Sequence, residues 1–499
     1  MGVRPCFREQ YTFNAPSILG TRMTHAMNSP WRAAMVALLA MSGAALAGCA
    51  TTSATTSETA TMAEPAEPFA STYTPRAAPP TLIRGATVLD GDGGEFADTD
   101  VLMENGQIAA IGQGLSAPEG ALVIEAEGKF VTPGIIDAHS HLGVYPSPGI
   151  DATSDGNEAT QWNAAEVWAE HSVWPMDPGF QRAVAGGITT LHVLPGSANL
   201  FGGRGVTLHP ILGARTVQEM KFPGAPHSLK MACGENPQRV YGHRNQFPST
   251  GMGDVAGYRM AYAEAQQYNR RWQEYEEELA NGDEDATPPD RDLEMETLAG
   301  VLNGDILVEW HCYRSDEMVN AMEVAREFGF HVSGFHHAVE AYKIADILAR
   351  ENVCAMMWAD WWAFKIEAYD TIPENIAFVD AAGACAVVHS DSEVGIQRLN
   401  QEAAKAWAAG LRAGLDITRG EVWTWLSRNP ARAIGVEDET GTLEVGKNAD
   451  VVVWSGDPLS SYAVAENVFI DGASEYERGA PGDPPSDFEL GQPYLELNQ

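Results

Sequence analysis

Short apolar runs alternate with longer amphipathic stretches through the middle of the chain. Eight of these runs have the length and composition of buried strands, and helical patterns such as DEMVNAMEVAREFG and AYKIADILAREN follow several of them. Strand–helix units repeated in this way predict a (β/α)₈ barrel over residues 133–437. The third run follows the second so closely that we expect the barrel to be distorted. The eight runs are 134–139, 187–194, 205–209, 228–232, 306–311, 330–336, 353–358 and 385–390.

The two ends of the folded region have a different pattern. Residues 82–132 and 438–475 contain short alternating runs broken by Gly-Asp and Asn-Gly turns, which is typical of β-hairpins. We expect these ends to form one small β-sandwich with the barrel inserted between them, followed by a C-terminal tail over 476–499. The predicted fold class is therefore α/β, a distorted TIM barrel plus a β-sandwich. A charged surface helix is predicted over 259–279, in a long insertion between the fourth and fifth runs.

The N-terminal region has the features of an export signal, which we place over residues 1–48. Arg32 precedes a short apolar run that ends in the sequence LAGC at 46–49, and small residues at the cut are typical of secretory signals. The LAGC ending resembles a bacterial lipobox, in which the Cys becomes the lipidated first residue. An ordinary cleaved signal with a chance Cys is the alternative. Residues 1–22 lie upstream of better starts and are interpreted as an over-extended gene start.

Thr, Ser, Ala and Pro dominate the sequence that follows Cys49. Such a composition cannot bury a core, so residues 49–81 are predicted to be a lipidated Cys and a flexible tether. We therefore expect an exported protein, in the periplasm or at the outer membrane, that contacts the membrane only through a lipid on Cys49.

Composition and charge exclude several classes of partner. The 499 residues include 31 Lys and Arg against 68 Asp and Glu, which gives a formal net charge of −37. A nucleic-acid-binding protein needs a basic surface, so we exclude that class. Hydrophobic residues make up 44% of the chain, as in ordinary globular proteins. The expected partner is a small-molecule or peptide substrate, and a homo-oligomer is left open.

Apart from Cys6 and the predicted lipidation site Cys49, the chain has four cysteines, at positions 233, 312, 354 and 385. No pair of them has the spacing of a metal knuckle or a redox motif. Export permits disulfides, but each of the four lies in an apolar, strand-like run. We therefore expect buried free thiols.

Histidines and an aspartate lie at the ends of the predicted barrel strands, where the active sites of such barrels are built. His139 and His141 point to one face because they are two positions apart in an extended segment. The fifth strand ends at His311, the sixth ends at the pair His336 and His337, and the eighth runs into Asp391. Imidazole and carboxylate are ligands that zinc and its neighbours prefer. The pattern predicts a divalent metal site.

With these residues in place, the chain resembles the amidohydrolase superfamily, and most of all the branch that contains imidazolonepropionase and related metal-dependent dipeptidases. The resemblance is carried by VTPGIIDAHSHLG at 131–143, by HSDSEVGIQRLNQEA at 389–403 and by SRNPARAIGVEDETGTLEVGKNADVVVWSGDP at 427–458. It covers about residues 82–475. Its ends match the β-sandwich of the family and its centre matches the distorted barrel.

The resemblance implies a set of metal ligands. His336 is adjacent to the matching position on the sixth strand and is the alternative ligand there. Binuclear relatives carry CO₂ as a carbamate on a strand-four Lys, and Lys230 is the only Lys at the end of that strand; a Lys at the barrel rim is the alternative. One or two ions are expected, zinc first, with manganese, iron or cobalt as alternatives. The implied ligands are His139, His141, Lys230, His311, His337 and Asp391.

Other polar residues near the strand ends lie outside this set. We expect Asp137 to hold the histidine rings of the first strand, and His192 to pack in the core. His389 either lines the pocket or orients Asp391. The Trp-rich stretch 356–364 is either a substrate wall or core. The loop after the fourth strand is either solvated or binds a substrate carboxylate, through Arg239, Tyr241, His243 and Arg244.

The implied reaction is hydrolysis of a C–N bond in an amide, a peptide or a cyclic amide. A dipeptidase is one enzyme of this kind. A metal activates the water, and Asp391 acts as general base and then as general acid. Three alternatives remain: a mononuclear deaminase, a lactonase- or phosphotriesterase-like hydrolase, and a non-catalytic surface lipoprotein.

Overall fold

The computed structural model describes residues 68–147 and 149–480. The predicted export signal, Cys49 and most of the predicted C-terminal tail lie outside these residues. Among the helices of the described ranges, none has both the length and the apolar character needed to cross a membrane.

The described residues form sixteen strands and ten α-helices. The strands are β1 (Thr81–Leu89), β2 (Glu95–Glu104), β3 (Gln107–Gly112), β4 (Leu122–Glu125), β5 (Phe130–Pro133), β6 (Ile135–Ser140), β7 (Ile188–Val193), β8 (Phe201–Leu208), β9 (His227–Ala232), β10 (Ile306–Cys312), β11 (Gly334–His337), β12 (Cys354–Met357), β13 (Cys385–Val388), β14 (Val451–Trp454), β15 (Ala465–Ile470) and β16 (Ala473–Glu477). The helices are α1 (Pro178–Ala185), α2 (Glu235–Gly242), α3 (Gly251–Ala280), α4 (Leu293–Asn303), α5 (Ser315–Phe328), α6 (Ala345–Glu351), α7 (Asn375–Ala381), α8 (Leu399–Arg412), α9 (Arg419–Thr424) and α10 (Arg428–Ala433).

Strands from the two ends of the described chain form one sheet, in the order β16-β15-β14-β5-β1-β2-β3, with β4 paired to β1. The N- and C-terminal parts meet where β14 pairs antiparallel with β5, Val453 opposite Val131. Both side chains are buried in the same apolar cluster, and burial of such side chains contributes about 1.5–3 kcal/mol each. The two ends thus pair around the inserted central region, and their description as a β-sandwich stays a prediction.

Strands β6 to β13 form a nearly closed eight-stranded sheet in sequence order. Each of the eight predicted runs corresponds to one of these strands, so the mixed α/β barrel is confirmed. The gap between β13 and β6 is bridged by the chain that follows α9. The amide of Val388 donates to the carbonyl of Trp425, and that of Ile136 donates to the carbonyl of Leu426.

The third barrel strand differs from a regular (β/α)₈ pattern. β8 is antiparallel to both β7 and β9, because only a loop without a helix connects it to β7. A parallel neighbour would need a crossover of a dozen or more residues. The expected distortion is therefore a reversed strand.

The insertion between the fourth and fifth barrel strands contains a longer helix than predicted. α3 begins at Gly251, eight residues before the predicted start at 259, and Thr250 caps it by accepting from the amide of Gly253. Tyr258 and Tyr262 are buried at a spacing of four residues, so this helix packs one face on the barrel.

The expectation of free thiols is wrong. The structure pairs Cys233 with Cys312 and Cys354 with Cys385. Cys354 and Cys385 are register partners on β12 and β13, and Cys233 follows β9 beside β10. Strand register placed each pair within bonding distance, and the spacing along the chain does not reveal register.

The described part of the predicted tether is attached to the folded body. The hydroxyl of Tyr73 donates to Asp471 Oδ2 at 2.6 Å, and Arg76 forms an ion pair of 2.8 Å with Glu475. The amide of Thr72 donates to the carbonyl of Gln218. These contacts correct the prediction of a free tether for this segment.

Candidate metal centre

The first barrel strand supplies two histidines to the carboxyl end of the barrel. His139 lies in β6 and His141 directly after it, and their Nε2 atoms are 3.2 Å apart. Asp391 Oδ1 lies 3.4 Å from Nε2 of His139 and 3.1 Å from Nε2 of His141. His141 Nδ1 is 2.8 Å from the carbonyl oxygen of Leu194, which directs the opposite nitrogen toward Asp391. These three residues form one group with metal-ligand spacing.

A second group shares His139 and adds His337 and His389. His337 is the last residue of β11, and its Nδ1 lies 3.8 Å from Asp391 Oδ2. The backbone takes φ +70° at His337 and +47° at Asp391, a conformation that is uncommon for residues other than glycine. Such positions cost about 1–3 kcal/mol and are concentrated at functional sites. His389 was not among the predicted metal ligands. Its position two residues before Asp391 was the sequence feature that could have indicated it.

His336 has a different environment from its neighbour His337. Its Nδ1 lies 2.8 Å from Nδ1 of His139, and its Nε2 lies 2.6 Å from Oε2 of Glu309. Both ring nitrogens of His336 are therefore engaged with protein atoms. Glu309 is wholly buried and was missed by the sequence analysis, although it stands two positions before His311 on β10 and so shares its face.

His311 and Lys230 lie on neighbouring strands beside the two groups. The ring of His311 lies 4.5 Å from that of His337, and its Nε2 is 3.4 Å from Nδ2 of Asn236. Lys230 is buried and directly opposite Glu309 in the β9–β10 register. Its ammonium donates to the carbonyl oxygen of Pro195 at 3.2 Å.

Burial determines the charge of these groups. It lowers the pKa values of His139, His311 and His337 well below the ordinary value, so their rings are neutral. It also lowers the pKa of Lys230 to about 8. Burial would raise the pKa of Asp391, but the hydrogen bond and charge of His141 outweigh it and hold that pKa below 3.8. Neutral imidazoles and a carboxylate are the forms that bind metal.

The structure corrects the role expected for Asp137. Its carboxylate accepts from the amide of His139 at 3.2 Å and from the amide of Ser390 at 3.1 Å, and it also accepts from the Ser390 hydroxyl. No ring nitrogen of the described histidines contacts it in these bonds. Asp137 therefore joins the backbone of β6 to the segment after β13, which positions His139 and Asp391 across the gap in the barrel.

The predicted substrate residues separate into two groups. Arg239, His243 and Arg244 line a cavity of about 530 Å³ together with Asn236 and Ser197. Asn236 connects this cavity to the histidines, because its side chain reaches His311.

Tyr241 does not belong with the other three. It is 1% exposed, and its hydroxyl donates to the carbonyl of Gln161. The prediction that Tyr241 binds substrate is therefore wrong, because its position on α2 turns it toward the body of the protein. His192 is also buried. Its Nδ1 lies 2.9 Å from Thr207 Oγ1 and its Nε2 lies 2.7 Å from Ser228 Oγ, so both ring nitrogens have protein partners.

The cluster fits a divalent metal. Within the described residues, five buried histidine ring nitrogens have no hydrogen-bond partner. Four of them belong to residues at this site: Nδ1 of His311, Nδ1 of His337 and both nitrogens of His389. A buried polar atom without a partner costs about 1–3 kcal/mol. An ion held by His139, His337 and one nitrogen of His389 would remove part of that cost.

The sequence and the fold are similar to those of known amidohydrolases. The amidohydrolase family model matches residues 326–473. A solved amidohydrolase structure from Thermotoga maritima MSB8 is 35% identical, with a TM-score of 0.73, over 80% of this chain and 100% of that chain.

Two curated proteins are also similar. The amidohydrolase tasK of Hapsidospora irregularis is 32% identical over 440 residues, which are 81% of this chain and 44% of tasK. A dihydroorotase of Citrifermentans bemidjiense is 32% identical over 135 residues, which are 27% of this chain and 26% of that protein. The chain thus covers less than half the length of these curated relatives.

The coverage and identity of the Thermotoga maritima structure decide the family. The chain belongs to the amidohydrolase superfamily, as its sequence motifs indicated. Proteins of this superfamily generally use a divalent metal, and the His/Asp cluster is the place in the described residues that could bind one.

Proposed function

We propose that this chain is a metal-dependent hydrolase that cleaves the C–N bond of an amide, either a peptide or a cyclic amide. One observation carries the proposal. His139, His141, His337, His389 and Asp391 converge at the carboxyl end of the barrel, in two groups that share His139. Family membership supports the same reaction class.

The residues that would hold the metal are those of the cluster, with His311 and Lys230 beside them. A bound divalent metal supplies the acidity that lets a water attack a carbonyl carbon near neutral pH. His336 is assigned a positioning role in place of a ligand role, because both of its nitrogens already contact Glu309 and His139. Zinc is the first expectation for the ion.

Asp391 would move the proton. Its carboxylate is 22% exposed on the side chain, so a water and a substrate can reach it, while His141 holds its Oδ1 in place. In the reaction the water oxygen forms a bond to the carbonyl carbon and the C–N bond breaks. Asp391 accepts the water proton and passes it to the leaving nitrogen.

A substrate carboxylate would be held on the other side of the site. Arg239 and Arg244 line the cavity beside Asn236, and guanidinium groups bind carboxylates in two-pronged fashion. This arrangement favours a peptide or another amide that carries a free carboxylate.

We also propose that the protein is exported and lipidated at Cys49. Feeding a radiolabelled fatty acid to cells that express the wild type or Cys49→Ala would test this proposal.

The experiment that tests the proposed reaction uses purified protein loaded with Zn²⁺ or Mn²⁺ and a panel of dipeptides and cyclic amides. We expect turnover of at least one amide, and its loss by at least about a thousandfold in His139→Ala and Asp391→Asn. His171→Ala, on an exposed ring outside the cluster, is the matched control. Absence of hydrolysis across the panel, or turnover that survives Asp391→Asn, would overturn the proposal.

A further inference from the structure

Exposed aromatic side chains are concentrated in the segment after β12. Trp361 is 39% exposed, Trp362 61% and Phe364 56%. Single exposed apolar residues are ordinary in soluble proteins, but adjacent ones mark binding surfaces. We define the aromatic wall as Trp358, Trp361 and Phe364.

The aromatic wall is continuous with the metal centre. The ring of Trp358 stacks on His337 with centroids 4.2 Å apart and an interplanar angle of 22°. Trp361 stacks on Trp358 at 5.2 Å and 19°, and Phe364 meets Trp358 edge-on at 5.7 Å. Stacked rings therefore lead from a candidate metal ligand to the solvent-exposed surface.

Polar contacts on both sides hold the segment in place. Before the exposed rings, Asp360 accepts from Lys405 at 2.9 Å. After them, Lys365 donates to Asn236 Oδ1 at 3.0 Å and lies 3.8 Å over the ring of Tyr313. The same Asn236 reaches His311, so the wall is tied to the metal centre as well as stacked on it. A fixed surface loses little entropy when it binds a ligand.

The environment of Trp358 supplies an independent observation. This side chain is 5% exposed, and its indole nitrogen has no acceptor among the described residues. Buried indole N–H groups normally find a partner. An oxygen of a bound substrate beside His337 would supply one.

We propose that the aromatic wall is a subsite for an aromatic or large apolar group of the substrate, next to the bond that is cleaved. The inference rests on the proposed function and names its substrate class. A flat side chain such as that of Phe or Trp would extend the stack beyond Trp361. Offset-stacked and edge-on ring pairs are favourable beyond the area that they bury.

The test compares kcat/KM within two pairs of dipeptides, Gly-Phe with Gly-Ala and Phe-Gly with Ala-Gly. We expect the aromatic member of one pair to be preferred by about tenfold or more. Trp361→Ala and Phe364→Ala should each reduce that preference, and Trp361→Phe should retain most of it. Tyr462→Ala is the matched control, because this ring is 93% exposed and lies outside the aromatic wall.

A binding measurement separates the two proposals. Asp391→Asn protein is titrated with N-acetyl-phenylalanine amide and N-acetyl-alanine amide, and tryptophan fluorescence is recorded with and without Trp361→Ala. Tighter binding of the phenylalanine compound that Trp361→Ala weakens supports the subsite even if no amide is hydrolysed. If dipeptides are hydrolysed with equal kcat/KM within each pair, and the two amides bind equally, the subsite is overturned and the proposed reaction is not. A dimer that Trp361→Ala dissociates, without selective binding, would assign the wall to a contact between two copies and also overturn it.

Discussion

The Nε2 atom of His336 lies 2.6 Å from Oε2 of Glu309, and the opposite nitrogen of the same ring lies 2.8 Å from Nδ1 of His139. When the Glu309 carboxylate is ionised, it accepts a hydrogen bond from His336 Nε2–H, and His336 Nδ1 then accepts a hydrogen bond from His139 Nδ1–H. Nε2 of His139 is then left with a free lone pair on the side of His141 and Asp391. This buried chain therefore couples the metal-binding ring form of His139 to the ionisation of Glu309, whose pKa burial raises well above its ordinary value.

Replacing Glu309 or His336 should weaken metal binding without unfolding the protein. Glu309→Met removes the acceptor of His336 Nε2–H, and His336→Gln removes the ring that contacts Nδ1 of His139. We expect the dissociation constant for Zn²⁺ to rise about 10–100-fold in each, measured by competition with a chelating dye. Glu340→Gln, on a carboxylate away from the cluster, serves as control. Unchanged affinity in both variants would contradict the assigned positioning role.

Lys230 should determine how many ions the chain holds. A carbamate on its buried amine would bridge two metals, so we expect about two ions per wild-type chain and about one in Lys230→Met. Elemental analysis of chelator-stripped protein, reloaded with and without bicarbonate, measures this. Lys405→Met removes an ion-paired surface ammonium and should leave the count unchanged. One ion in the wild type, unaffected by Lys230→Met, would instead favour the mononuclear deaminase.

The carboxylate of Asp137 should stabilise the folded protein, because it joins β6 to the segment after β13 across the gap in the barrel. Asp137→Ala leaves two buried backbone amides without their acceptor, those of His139 and Ser390. Each such loss costs about 1–3 kcal/mol. We expect the free energy of unfolding of the metal-free protein in urea to fall by about 2–5 kcal/mol. Asp416→Ala, on an exposed carboxylate, should change it by less than about 0.5 kcal/mol, and an equal effect of both would refute the role of Asp137.

The histidine–aspartate cluster was more predictable from the sequence than the contacts that surround it, and its role as a metal site stays a prediction. The relation between His139 and His141 is local in the sequence. Because they lie two positions apart in an extended segment, they share a face. The eight barrel runs followed from their apolar length and composition. The expected proximity of Asp391 to the two histidines followed from strand ends meeting at one side of a barrel. The bond between Glu309 and His336 and the pairing of Cys354 with Cys385 depend on register between strands. No pattern along one chain reports that register.

The sequence also did not predict which side chains near the site are exposed or in which direction they point. The stretch 356–364 gave equal support to a wall and to core, and the structure divides it, with Trp358 buried and Trp361 and Trp362 exposed. Arg239 and Tyr241 lie two positions apart on α2 and therefore point to opposite sides of it: Tyr241 is buried and Arg239 lines a cavity. Side-chain direction at a helix that docks on a barrel depends on the docking, which sequence periodicity over eight residues does not define.

Asp254 should make stability depend on pH. Its carboxyl is 3% exposed, and burial raises its pKa from 3.8 to about 7 in the folded chain, although Gln238 donates a hydrogen bond to it. Because the folded state holds the proton more tightly than the unfolded state, this stabilisation is complete below the unfolded pKa. It is lost as pH rises, and the loss ends above about 7. One such group gives a slope of at most about 1.4 kcal/mol per pH unit.

Urea unfolding at pH 5, 6, 7 and 8 measures this slope, with the metal removed. In Asp254→Asn the side chain cannot ionise but can still bond to Gln238, so we expect the decline in unfolding free energy between pH 5 and 7 to become smaller by up to that slope. Asp290→Asn, on an exposed carboxylate, should retain the wild-type profile. A profile in Asp254→Asn that overlays the wild type would show that Asp254 titrates alike in the folded and unfolded chain.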